Sequence, residues 1–82
     1  MEIGVEISLY PLSEHYLTPI EDFIARLNRD RTLRVVTNSM STQIFGEYDT
    51  LMRRLTDEVR SSLQQPQHKS VFVLKILGPL PT

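Results

Sequence analysis

The period of the apolar residues changes along the chain, and the order of these changes restricts the fold more than any other feature of the sequence. From Glu2 to Tyr10 apolar residues occupy alternate positions, as in a strand with one buried face. Two later segments have apolar residues at three- and four-residue steps, as in amphipathic helices. The remaining segments are short β-branched or apolar runs bounded by turn residues. The predicted order is strand, helix, strand, strand, helix, strand.

The first helix is predicted to follow a proline that ends the first strand. Pro11 has no backbone N–H to donate to a sheet, so we expect the strand to stop before it. Thr18 is the predicted N-cap, with Pro19 at the position whose N–H needs no partner and Glu21 completing a capping box. The predicted apolar face consists of Leu17, Ile20, Phe23, Ile24 and Leu27.

The middle of the chain predicts a hairpin and then a second helix. Residues 33–37 and 41–46 favour strands, and Asn38 and Ser39 favour a turn between them. Asp49 is the predicted N-cap of a helix that extends to Pro66. The apolar face of this helix is predicted at Leu51, Met52, Leu55, Val59 and Leu63.

The last predicted strand, residues 71–77, is apolar on nearly both faces and is followed by Gly78 and Pro79. The complete order is therefore βαββαβ. With right-handed crossovers in a single sheet, this order gives a ferredoxin-like α+β fold. We expect an antiparallel four-stranded sheet, two helices on one of its faces, and the first and third strands in its centre. Residues 1–82 are predicted to form one domain.

The composition restricts the partners and the location of such a domain. The 82 residues include no cysteine, which excludes disulfides and cysteine-based zinc sites. The formal net charge of -1 gives no basic field, so nucleic acid is not an expected partner. No apolar run approaches the roughly 18 residues that span a bilayer. The chain start also lacks the pattern of a signal peptide, so we expect a cytoplasmic protein without membrane contact.

Two helices cover only one face of the predicted sheet. The other face would carry Tyr10, Phe45 or its neighbours, and one apolar side of the last strand. A small domain without disulfides often gains core by association. The sequence therefore predicts a homodimer or homotetramer through the open sheet face, although scattered surface apolar residues on a monomer would give a similar pattern.

Catalytic machinery is not visible in the sequence. The two histidines, His15 and His68, have no metal-ligand spacing and are not placed as a base for any serine. The three glycines form no phosphate-binding loop. Arginines at 26, 29, 31 and 34 fit an RNA or anion patch, but helix-terminal arginines also complement the helix dipole. We expect neither an enzyme nor a metal or cofactor site.

Two polar-rich segments are predicted to converge at one edge of the sheet. In the ferredoxin-like topology, Leu9 and Tyr10 at the end of the first strand neighbour Ser41 and Thr42 at the start of the third. Strand-end backbone groups and hydroxyls match the donors and acceptors of an aminopyrimidine, and apolar side chains offer a surface to its ring. A simple hairpin turn beside a proline-ended strand explains the same residues.

These segments resemble the YkoF-like family of thiamin- and hydroxymethylpyrimidine-binding proteins, together with its single-domain relatives of the MTH type. The resemblance rests on residues 6–12 (EISLYPL), 37–42 (TNSMST) and 46–49 (GEYD). It implies a ferredoxin-like domain without catalytic activity that assembles through its sheets. The YkoF protein carries two such domains, whereas this chain carries one, so a homo-oligomer would have to supply the second.

The resemblance implies ligand contacts from both converging segments. Leu9 and Thr42 are the first candidates, with Ser8, Tyr10, Met40 and Ser41 as their neighbours. A nearby carboxylate or aromatic ring would favour the thiazolium charge of thiamin. The sequence offers Glu6, Glu47, Asp49, Tyr10 and Tyr48 for this role.

The predicted function is non-enzymatic binding of thiamin or hydroxymethylpyrimidine, in salvage or transport of the vitamin. The alternative is an oligomeric regulatory or protein-interaction module that binds another metabolite, because one fold hosts many functions.

Overall fold

A computed structural model describes residues 1–65 and 69–81, so Pro66 and His68 lie outside the described residues. The elements are β1 (Glu2–Pro11), α1 (Leu17–Asn28), β2 (Arg34–Thr37), β3 (Thr42–Glu47), α2 (Tyr48–Leu63) and β4 (Ser70–Leu77). All strand pairs are antiparallel, and the sheet order is β2-β3-β1-β4. The predicted ferredoxin-like α+β fold, with the first and third strands in the centre, is confirmed.

The core lies between the two helices and one face of the sheet. The alternation in β1 places its odd-numbered side chains on this face, opposite those of Thr42 and Ile44 in β3. The helices close it with two fully buried side chains from α2 and two buried side chains from α1. The buried apolar residues are Ile3, Val5, Ile7, Leu9, Phe23, Leu27, Leu33, Ile44, Leu51 and Leu55.

The sequence predicted that the first strand stops before Pro11. This prediction is wrong, because the strand includes Pro11. The N–H of Leu12 donates to the carbonyl of Lys69 at 2.8 Å. Because backbone groups alternate sides along a strand, those of Tyr10 also point towards β4 and those of Pro11 point away from it. The ladder with β4 therefore needs no N–H from the proline, and the strand continues.

Both predicted helix caps are wrong. Helix α1 begins at Leu17, so Thr18 already lies in the first turn, and no side chain caps the helix. Helix α2 is capped by Glu47 rather than Asp49: its carboxylate accepts from the Asp49 N–H at 2.6 Å. This hydrogen bond lowers the pKa of Glu47.

The two helices are joined by an ion network. The Arg26 guanidinium donates to the Glu58 carboxylate at 2.7 Å and to the Ser62 hydroxyl at 2.6 Å. Arg54 donates to the second Glu58 oxygen and to Asp30, both at 2.9 Å. The inner stripe of α2 thus continues from its two leucines through Glu58 and Ser62. The predicted apolar position Leu63 consequently lies outside it and is exposed.

Strand β4 is an edge strand, as the predicted topology with the first and third strands in the centre requires. It pairs with β1 on one side and with no described strand on the other. The helices do not cover the outer part of this strand. Leu74 and Ile76, whose side chains are on the helix face of the sheet, are therefore 39% and 54% exposed. Val71, Val73 and Leu77 are exposed on the opposite face, where the predicted open surface is found.

A pH dependence of stability is expected from Asp30. Its carboxylate accepts from the hydroxyl and N–H of Thr32 and from Arg54, and these bonds lower its pKa below the ordinary value of 3.8. A carboxyl whose pKa is depressed by folding stabilises the protein above its unfolded pKa, and this contribution is lost as the pH falls. Asp30→Asn should therefore flatten the loss of the free energy of unfolding below about pH 5. Urea denaturation at several pH values measures this, and an unchanged acid limb would contradict the assignment.

Candidate functional site

The backbone of Leu9 provides the first element of the site. The Leu12–Lys69 bond fixes the backbone groups of Leu9 on the side away from β4. On that side the pairing of β1 with β3 ends at Ile7 and Thr42, two residues before Leu9. Met40, which would be opposite Leu9, belongs to the β2–β3 turn. In the part of the chain that the structure describes, the N–H and C=O of Leu9 thus have no partner in the sheet.

These groups face a cleft of about 170 Å³ at the end of the sheet. All six residues predicted as ligand contacts line it, so the predicted juxtaposition of the two segments is found. A cavity of about 150 Å³ accommodates a benzene ring, so the cleft has room for one aromatic ring. The lining residues are Ile7, Ser8, Leu9, Tyr10, Ile20, Phe23, Ile24 and Thr37 to Thr42.

The cleft contains one pair of bonded hydroxyls, of which Thr42 is buried and Thr37 is exposed. Thr42 is only 5% exposed, and its Oγ1 lies 3.1 Å from Oγ1 of Thr37 on the neighbouring strand. Either hydroxyl can be the donor of this bond. Each therefore keeps free hydrogen-bonding capacity, which a polar ligand atom in the cleft can use.

The outer wall of the cleft is a two-residue turn that Asn38 stabilises. The backbone N–H of Asn38 donates to the Ser41 carbonyl, and the Asn38 Oδ1 accepts from the N–H groups of Met40 and Ser41 at 2.8 and 3.0 Å. These bonds fix the turn next to β1. Met40 lies at the tip of this turn and is 84% exposed, and its flexible side chain can move over the cleft.

One carboxylate contacts a residue of the cleft from the open face of the sheet, without lining the cleft itself. The Ser41 hydroxyl donates to Glu6 Oε2 at 3.0 Å, and Lys75 Nζ lies 3.7 Å from the other Glu6 oxygen. Glu47 pairs with Glu2 at the opposite end of the ladder between β1 and β3. Of the charged or aromatic candidates from the sequence, Glu6 and Tyr10 therefore belong to this end of the sheet, whereas Glu47, Tyr48 and Asp49 do not.

The inner wall of the cleft was not predicted from the sequence as part of the site. Ile20, Phe23 and Ile24 of α1 form it, although their spacing predicted only a core-facing helix. No sequence signal separates the two roles, because these residues contact both the core and the end of the sheet.

Other recesses have a different character. A wider recess of about 530 Å³ lies at the opposite end of the sheet, between the β2 start and the chain termini. There the Arg34 guanidinium stacks on the Phe45 ring at 4.1 Å, while Arg26 is bound between the helices. The predicted arginine group is thus divided between two regions. Among residues 1–65 and 69–81 no three His, Asp or Glu side chains are grouped as metal ligands, and no helix there is long and apolar enough to cross a membrane.

Comparison with known proteins confirms the fold. No family model matches the chain, and no curated protein is significantly similar to it. Solved structures do match. A protein from Streptococcus pneumoniae is 23% identical with a TM-score of 0.87, covering 98% of this chain and 89% of its own. A protein from Methanocaldococcus jannascii is 22% identical with a TM-score of 0.81, covering 99% and 84%.

A third similar structure comes from Thermotoga maritima and is provisionally described as a thiamine biosynthesis/salvage protein. It is 20% identical with a TM-score of 0.80, and the match covers 93% of this chain and 82% of that one. Identities at this level show that the fold is shared.

We expect Asn38→Ala to destabilise the β2–β3 turn locally. The substitution removes the acceptor of two backbone N–H groups, so we expect the free energy of unfolding to fall by about 0.5–1.5 kcal/mol. Amide hydrogen exchange should accelerate at Met40 and Ser41, while Leu55 in the core follows only the global change. Asn28→Ala, which removes a single bond to the Ile24 carbonyl, is the control. Unchanged exchange at Met40 and Ser41 would contradict the role of Asn38.

Proposed function

We propose that the protein binds thiamin or its hydroxymethylpyrimidine moiety in the cleft at the end of β1, without catalysing a reaction on it. One observation carries this proposal. The N–H and C=O of Leu9 have no partner in the sheet, and they lie beside the Thr42 hydroxyl, which makes one hydrogen bond and can make another. The sheet leaves this donor and acceptor unpaired, and a ligand with complementary groups in the cleft would satisfy both.

The chemistry of an aminopyrimidine fits these groups. It presents a ring nitrogen as acceptor next to an amino group as donor. The Leu9 N–H would donate to the ring nitrogen, and its C=O would accept from the amino group, as between two residues of an antiparallel pair. The Thr42 hydroxyl would bond a further polar atom, and Phe23 and the isoleucines would contact the ring face.

Two further features support this ligand class. Segments 6–12 and 37–42, which carry the resemblance to the YkoF-like family, both line the cleft. The Thermotoga maritima neighbour of the same fold is described in terms of thiamine biosynthesis or salvage. Glu6 lies on the open face behind Ser41, and its negative charge would attract the thiazolium of thiamin over a longer distance. With this ligand and no catalysis, we propose a role in salvage or transport of the vitamin.

The lack of catalysis is part of the proposal. The serines that line the cleft have no described histidine as a hydrogen-bonding base; Ser41 bonds to Glu6, and His15 bonds Ser13 through its backbone. Glu6 also pairs with the exposed Lys75, and this solvent-exposed ion pair does not orient Ser41 and Glu6 as a nucleophile and its base.

The open sheet face belongs to the same proposal. It carries exposed Tyr10, Val36 and Leu77 and an apolar recess of about 300 Å³ above Gly4. Phe45 borders this recess, and a Cβ at Gly4 would lie 3.0 Å from its ring. We propose that a second copy of the chain covers this face, as in an isologous dimer.

Ligand binding is tested by thermal unfolding with thiamin, its phosphates, hydroxymethylpyrimidine and an analogue without the amino group. At a hundredfold excess over Kd, binding stabilises the native state by about 2.7 kcal/mol, which raises the midpoint on the order of 10–20 °C. We expect the rise with compounds that carry the aminopyrimidine and not with the deaminated analogue. No rise with any compound, together with self-association, would favour the interaction module.

Thr42→Val tests the hydroxyl. It removes one hydrogen-bonding group at nearly constant volume, so affinity for the pyrimidine should fall about 2- to 12-fold by calorimetric titration. Thr56→Val on the exposed face of α2, whose hydroxyl bonds only to carbonyls of its own helix, is the matched control. An affinity equal to that of the control would remove Thr42 from the site.

A further inference from the structure

The outer edge of β4 carries a regular row of unpaired backbone groups. The bond between Leu12 and Lys69 makes Tyr10 and Val71 a hydrogen-bonded pair, and the pattern repeats every two residues along the ladder. Odd-numbered residues of β4 thus bond to β1. The N–H and C=O groups of Phe72, Leu74 and Ile76 point outwards, where the described part of the chain provides no strand.

The side chains do not protect this edge. Exposed edge strands are normally short, bulged, or rich in charge and proline, because a flat apolar edge pairs with other chains. Strand β4 is eight residues long, and Lys75 is its only charged residue. It exposes apolar side chains on both faces of the sheet, with Leu74 and Ile76 on one and Val73 and Leu77 on the other.

We propose that β4 pairs with β4 of a second copy in antiparallel register, so that two sheets become one of eight strands. The two-fold axis passes through Leu74, which then faces Leu74 of the second copy as a hydrogen-bonded pair. Phe72 faces Ile76 of the second copy, so the outward groups of Phe72, Leu74 and Ile76 are satisfied. Ser70, the fourth outward residue, lies opposite Gly78, beyond the end of β4. On the other face Lys75 lies opposite Val73, so the two lysines are diagonal neighbours and no like charges lie directly opposite each other.

The sequence of β4 favours a second copy of this chain as the partner strand at this edge. The register is self-complementary: apolar residues meet on both faces, and the single lysine on each strand does not lie directly opposite its equivalent. An unrelated strand would need the same match by chance. This contact uses a different surface from the open sheet face, and both together would make a tetramer with two interfaces. It leaves the cleft, which lies on the other side of β1, accessible.

Residue-resolved amide exchange of the unmodified protein tests the pairing. At high protein concentration the amides of Phe72, Leu74 and Ile76 should be protected at least tenfold, and dilution should abolish that protection. The amides of Val73 and Lys75 bond to β1 and should stay protected throughout. If the three outward amides exchange freely at the highest concentration, the pairing is refuted, whether the protein is a monomer or associates elsewhere.

A charge variant provides the second test. Leu74→Lys places two ammonium groups opposite each other on the axis, so the dimer dissociation constant from sedimentation should rise on the order of tenfold. Thr56→Lys is the control, because Thr56 is exposed on helix α2 and belongs neither to the β4 edge nor to the open sheet face. Weakening by Leu74→Lys and not by Thr56→Lys supports the β4 contact. The reverse result, or no effect of Leu74→Lys, refutes it, and ligand binding measured in parallel is expected to be unchanged.

Discussion

The unequal lengths of two ladders on β1 determine most of what this domain can do. Strand β1 pairs with β4 as far as Pro11, but with β3 only as far as Ile7. The last part of β1 is therefore hydrogen-bonded to β4 on one side and unpaired on the side of β3. The cleft occupies the space that a longer β3 would fill, and the donor and acceptor of Leu9 that β3 would satisfy become available to a ligand.

The fold could be read from the sequence because each element has a clear local signal. Alternation in β1 and the helical spacing around Phe23 and Leu55 place their apolar side chains in one core. Where local signals compete, the prediction was wrong. Asp49 and Thr18 are good caps by type, but the chain path from β3 into α2 made Glu47 the cap and brought Thr18 inside its helix. Pro11 lost its effect because its missing N–H faced away from β4.

The site was predictable only in part. The topology alone brings Leu9 next to Thr42, which the structure confirms. The free backbone groups of Leu9 depend on the relative lengths of two ladders, and residue types do not report that length. The inner wall from α1 was also hidden, because Phe23 is a core residue in the sequence and a cleft residue in the structure. The edge position of β4 and its open apolar side were predicted from the topology. The exposure of Leu74 and Ile76 on the helix face was not, because an apolar run does not show how far the helices cover it.

The most direct test of the account is the amide resonance of Leu9 in the labelled protein during titration with hydroxymethylpyrimidine. If the ligand takes the place of a missing strand, the largest downfield shift and the largest gain in exchange protection occur at the Leu9 N–H. Smaller changes are then expected at Thr42 and in the β2–β3 turn. Shifts that cluster instead around Arg34 and Phe45 at the opposite end of the sheet, or that leave Leu9 unchanged, would contradict the proposed site.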